Sequence, residues 1–218
     1  MKIPSRFIIL FLGLSIGLSA STFSFRETFH SDDQVQFFNF TLLSSATVTL
    51  QGLAYGGGTN AANAVIPAGG FDTLFTYYDS TGAQIGMQDD SVCGVDPVQS
   101  RNGACLDSYT TPFLTAGMYT LALTQSGNTP NGNLSDGFSQ QGNGNFTCPQ
   151  GFCDILGGQN NGTYAVDILN VASATSVPEP GTILLCGFSL FLLCAIRFGW
   201  RTQHSTHKQL KDLTDEND

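Results

Sequence analysis

Acidic side chains are the residues of this sequence best equipped for chemistry. Asp79, Asp89, Asp90 and Asp96 fall in one short stretch, and Asp32 with Asp33 make a second acidic pair that the fold could bring near. Carboxylate oxygens offered from several loop positions suit Ca2+, a hard cation that takes about six to eight oxygen ligands. The competing role for the same residues is structural, since aspartates make turns and keep a surface soluble. No EF-hand loop is present: NGNLSDG places its glycine one position late and lacks the closing glutamate. Calcium is the candidate cofactor, with Asp79, Asp89, Asp90 and Asp96 as its candidate ligands.

Catalysis is thinly provided for. His30 is the sole histidine between the two apolar ends of the chain, and no GxSxG, HExxH or Walker-type loop occurs. A histidine close to the start of a domain fits a structural role better than a Ser-His-Asp site. Asp89 and Asp90 are adjacent, and neighbours on a strand point to opposite faces, so they do not make the spaced carboxyl pair of a glycosidase. The expectation is a protein that is not an enzyme. Tyr55, Tyr77, Tyr78 and Tyr109 are the candidates for a carbohydrate-stacking groove, against the commoner fate of strand tyrosines in a core.

Cys93, Cys105, Cys148 and Cys153 lie in the polar body of the chain. Closeness in sequence favours the pairs Cys93 with Cys105 and Cys148 with Cys153, each closing a small loop in an oxidising compartment. Zinc is the weaker reading, because CPQGFC has the wrong spacing, no second close pair exists and no histidine lies near. The body carries twelve carboxylates against two arginines, Arg26 and Arg101, and no lysine; the whole chain has a net charge of −9. Such a surface repels nucleic acid, which is excluded as a partner.

The elements that must hold these residues read as strands. QVQFFNFTL (34–42), ATVTLQGL (46–53), FDTLFTYY (71–78), residues 83–87, 109–114, MYTLALTQ (118–125) and TYAVDILN (163–170) carry alternating or β-prone apolar residues. A further short strand is expected from Phe146, and the Gly-, Ala- and Asn-rich segment 53–70 reads as a long loop. No body segment shows a helical stripe, and seventeen phenylalanines supply a bulky core. The expected fold is all-β, a single β-sandwich of jelly-roll type over residues 22–171.

The two ends are different in kind. Lys2 and Arg6, an apolar run from Phe7 to Leu18 and small residues at Ser19, Ala20 and Ser21 have the form of a removable secretory signal over residues 1–21. Residues 172–181, including VPEP, read as an exposed linker because each proline fixes φ and biases its predecessor away from helix. Residues 182–200 form a short transmembrane segment, of which Thr182–Ile196 is uncharged and would rise about 22 Å as a helix. Arg197, Arg201, Lys208 and Lys211 follow it, so the positive-inside rule puts residues 201–218 in the cytoplasm and the body outside.

Val177, Pro178, Glu179 and Pro180, followed by one short span with Arg197 and Arg201, resemble the PEP-CTERM sorting signal of exopolysaccharide-producing Gram-negative bacteria. The resemblance implies an exosortase-type partner that reads Pro-Glu-Pro and removes the tail. A plain C-terminal anchor is the alternative. The body, through SDDQVQFFNFTL, GGFDTLFTYYDSTGAQIGMQDDS and LTAGMYTLALTQ, resembles the bacterial pre-peptidase C-terminal type of β-sandwich. That resemblance implies a non-catalytic surface module, of a kind in which some members bind calcium or matrix polymers such as extracellular polysaccharide.

Overall fold

Phe38, Phe40 and Leu42 are buried while Phe37, Asn39 and Thr41 between them are less so, the period of two that gives a strand one inward face. The computed structural model describes residues 21–178 and builds that region from such segments. In chain order the strands are β1 (Ser21–Thr28), β2 (Gln36–Leu42), β3 (Ala46–Thr47), β4 (Thr49–Leu53), β5 (Gly58–Thr59), β6 (Val65–Ile66), β7 (Thr73–Tyr78), β8 (Gln84–Gln88), β9 (Tyr109–Thr110), β10 (Phe113–Leu114), β11 (Gly117–Gln125), β12 (Thr163–Val171) and β13 (Ser173–Val177). The helical element among the described residues is a three-residue 3-10 turn, Leu134–Asp136.

Two antiparallel sheets carry the architecture. One has the order β1-β12-β4-β9, the other β13-β2-β11-β7-β8. Their inner faces share one core: Phe38, Phe40, Phe75, Leu121 and Leu123 from the five-stranded sheet meet Leu50, Tyr164, Val166 and Ile168 from the four-stranded one. Burying each such side chain stabilises the fold by about 1.5–3 kcal/mol. At one end of the core, Phe29 stacks on Phe71 with ring centroids 5.1 Å apart, and Tyr164 and Phe152 close around the pair. The outer face of the five-stranded sheet is covered where Phe138 packs with Val35, Tyr78 and Ala122.

The all-β class and the sandwich-like layering agree with the sequence, and several boundaries are corrected. The segment 46–53 is split at Val48, whose N–H leaves β4 to bond Pro112 O at 3.0 Å. No strand starts at Phe146, because the backbone there serves a carboxylate instead: Phe146 N donates to Asp32 Oδ1 at 2.8 Å and Thr147 N to Asp32 Oδ2 at 3.0 Å. The loop 53–70 contains the small β5–β6 ladder, with Gly58 opposite Ile66. β1 opens at Ser21, the last residue assigned to the signal.

The linker starts later than expected. Residues 173–177 form β13, which pairs with β2 from Ser173↔Thr41 to Val177↔Phe37. The folded domain therefore runs to Val177 rather than to residue 171. SATSV looks like linker because its side chains are small, but Ala174 faces the core and the backbone completes a sheet edge. The signal peptide (residues 1–20 of it), Glu179, Pro180, the span at 182–200 with Arg197, and the tail from Arg201 lie outside the described residues. Among those described, no helix is long and apolar enough to cross a membrane.

Candidate functional site

The aspartates of the sequence divide into two groups by what their oxygens touch. Asp79 serves its own turn: its Oδ1 accepts from Thr81 N at 2.8 Å, Thr81 Oγ1 at 2.6 Å and Ala83 N at 3.1 Å. Gly82 completes that turn at φ +82°, a conformation that glycine adopts without strain. Asp96 also serves a turn, accepting from Val92 N at 2.7 Å. Neither belongs to the carboxylate group that the fold assembles.

That group is Asp72, Asp89 and Asp90, each offering an oxygen within 4.8 Å of the others'. Asp72 is set by its neighbours in sequence. Phe71 drops its ring into the core, Thr73 begins β7 by donating to Leu106 O at 3.1 Å, and Asp72 O accepts from Ser126 N at 2.8 Å. Asp89 and Asp90 follow directly on β8, where pairing with β7 stops at Gln88. The strand alternation that would separate them therefore no longer applies. Gln88 Nε2 donates to Asp90 O at 2.6 Å and Ser126 Oγ donates to Asp89 Oδ2 at 3.1 Å. Beyond them, Ser91 N bonds Cys105 O at 3.0 Å beside the Cys93–Cys105 disulfide, which ties down the loop.

The electrostatics of the group are severe. Asp72 is only 2 % exposed, and its Oδ1 has no hydrogen-bond partner; Asp89 Oδ1 is also buried without one. Burial, then the charges of Asp89, Asp90, Asp107 and Asp154, push the Asp72 carboxyl up to about 8. Burial likewise raises Asp89, against the Ser126 hydroxyl, and raises Asp90 at the exposed rim. Among the described residues, neither arginine offsets them. Arg101 lies 4.9 Å from the Tyr55 ring centroid and donates to Asn160, while Arg26 sits on β1.

Every other buried aspartate in the body is supplied with donors. Asp107 accepts from the N–H groups of Ala54, Tyr55 and Gly56 at 2.7–2.8 Å, and burial pushes it up to about 6 against those three bonds. Asp32 holds the 146–152 loop by three N–H groups and the Thr147 hydroxyl. Burial raises Asp33, but the Ser31 hydroxyl and the Gly144 and Gly142 N–H groups outweigh it and hold the carboxyl below its ordinary value. Asp32 and Asp33 thus organise loops and stand outside the Asp72 group.

Cys93 is bonded to Cys105 and Cys148 to Cys153, the pairing that closeness in sequence favours. His30 lies at a cleft with Glu27, Gln34, Tyr164, Ser176 and Val177. Tyr55 and Tyr78 are fully buried and present no face to a sugar. Tyr77 packs on the core and Tyr109 is half-buried on β9. Asp72 is the site residue that sequence reasoning missed. Its signal was an aspartate at the head of an otherwise apolar strand, where no turn needs it. Neither a protein-family model nor a curated protein sequence matches this chain.

Proposed function

We propose that this chain is an exported, non-enzymatic β-sandwich of jelly-roll type, bound for the cell surface or extracellular matrix. In this reading a C-terminal PEP-CTERM-type signal at Val177–Pro180, with the span and Arg197 and Arg201 behind it, holds the body at the membrane until an exosortase-type enzyme removes the tail. One observation supports it above the others. The sheet ends at Val177, paired with Phe37, and the next residues are Pro178, Glu179 and Pro180. The tripeptide therefore begins where the folded domain stops. Proline fixes φ and carries no N–H, so Pro178, directly after the last sheet pairing, suits a motif that an enzyme reads apart from the sheet. The two disulfides support the oxidising side of the membrane.

Intact-mass spectrometry of protein extracted from the surface of the native host tests this reading. The expected mature form lacks everything beyond about Pro180, and Glu179→Ala leaves the tail attached. A mature form carrying residues through Asp218 would replace it with the second reading, a permanently membrane-anchored carbohydrate- or calcium-binding module. The calcium half of that alternative is favoured by the Asp72–Asp89–Asp90 group; the buried tyrosines count against the carbohydrate half.

A further inference from the structure

We propose that Asp72, Asp89 and Asp90 bind a hard divalent cation, calcium by their chemistry, at the end of the five-stranded sheet where β7 begins and β8 ends. The proposal is independent of how the chain is sorted.

Three observations carry it. The oxygens of the three carboxylates lie within 4.8 Å of one another. An ion about 2.4 Å from each oxygen spans that separation. Two of these carboxylates also carry a buried oxygen without a donor. Asp72 Oδ1 and Asp89 Oδ1 are the buried carboxylate oxygens, among the described residues, that have no hydrogen-bond partner. Asp32, Asp33, Asp107, Asp154 and Asp167 show that this chain supplies N–H or O–H groups to aspartates it needs satisfied. A carboxylate buried without donors is costly, and a cation or a proton is what removes the cost. The third observation is placement: Asp72 is at the buried end of the group, Asp89 is half-buried and Asp90 is exposed, so the group runs from the interior to the solvent.

The donor set selects the ion. All three ligands are carboxylates with no histidine or cysteine among them, which excludes the usual zinc environment. Mg2+ demands a near-ideal octahedron and gives up water reluctantly, whereas Ca2+ accepts irregular oxygen sets with carbonyls and waters filling the remainder. A ligand set drawn from a strand start and the chain just past a strand end is of that irregular kind. It differs from the four turn-region aspartates expected from sequence: Asp79 and Asp96 are left out and Asp72 is brought in.

The test uses the full chain purified in detergent and stripped with a chelator. Equilibrium dialysis with radioactive calcium should find one ion per chain at about 1 mM free calcium, the range of extracellular modules. Calcium chloride should raise the melting temperature and EDTA should reverse the rise. Asp72→Asn, Asp89→Asn and Asp90→Asn should each weaken binding by about tenfold or more, since ligand charge sets affinity in such sites. Asp79→Asn and Asp96→Asn should bind as the unaltered chain does. Should Asp72→Asn fail to fold, Asp90→Asn reads the same question from an exposed position. No bound calcium, or full binding by Asp89→Asn and Asp90→Asn, would overturn the site. An equal response to magnesium chloride would overturn the choice of ion.

Discussion

Asp72 and Asp107 sit in the same buried neighbourhood and meet opposite fates: three N–H groups converge on Asp107, and none reaches Asp72 Oδ1. Both carboxyls stand above the ordinary value of 3.8, Asp72 at about 8 and Asp107 at about 6. In the metal-free protein each holds a proton that the unfolded chain releases, so the folded state binds more protons and stability falls as pH rises. The contribution is complete below about pH 4 and is lost through about pH 6 for Asp107 and about pH 8 for Asp72. Melting curves in EDTA should therefore shift downward across that window, and Asp72→Asn should flatten the part above about pH 6. A melting temperature that climbs with pH would contradict the assignment. Asp79 was legible in sequence as a turn residue, because D-S-T-G names its own partners. Asp72 was not, because what isolates it is the absence of donors from segments distant in the chain.

At the scale of elements, β2 and β11 are legible because their alternation is carried by large side chains, Phe38, Phe40, Tyr119, Leu121 and Leu123, that can only be inside. β13 is carried by backbone pairing with β2, and only Ala174 marks its inner face, so composition alone makes it a linker. Phe146 is the converse: a strand-forming residue whose N–H is claimed by Asp32, a tertiary partner that outweighs local preference. β13 can be tested at its one inward residue. Ala174→Asp places an unpaired charge at a position 8 % exposed and should destabilise the domain by about 2–4 kcal/mol in chemical denaturation. Limited proteolysis should then cut near residues 172–177 while the rest of the sandwich persists. An unchanged denaturation midpoint would show that β13 is dispensable.

Across the whole molecule, the two ends of the described chain leave in opposite directions. Ser21 lies at the Val171 end of β1, whereas Val177 emerges beside Glu27, Thr28 and His30 at the other end. The Asp72 group sits at the Val177 end of its sheet, since Gln36 and Phe75 both pair with Leu123 there. Three strand spacings, about 14 Å, separate β13 from β7. In the proposed tethered state the acidic end therefore faces the membrane. The edge position of β13 then decides how the body answers a mechanical pull. Drag on the body while the tail is held draws Val177 outward along the strand axis, so β13 is sheared against β2 rather than unzipped from it. The pairs from Ser173↔Thr41 to Val177↔Phe37 are strained together and must break together. Single-molecule stretching between Ser21 and Pro178 should give one abrupt rupture at high force, and a gradual low-force opening would mean that β13 peels away pair by pair. A domain suspended in this way stays folded under flow because its last strand is pulled lengthwise.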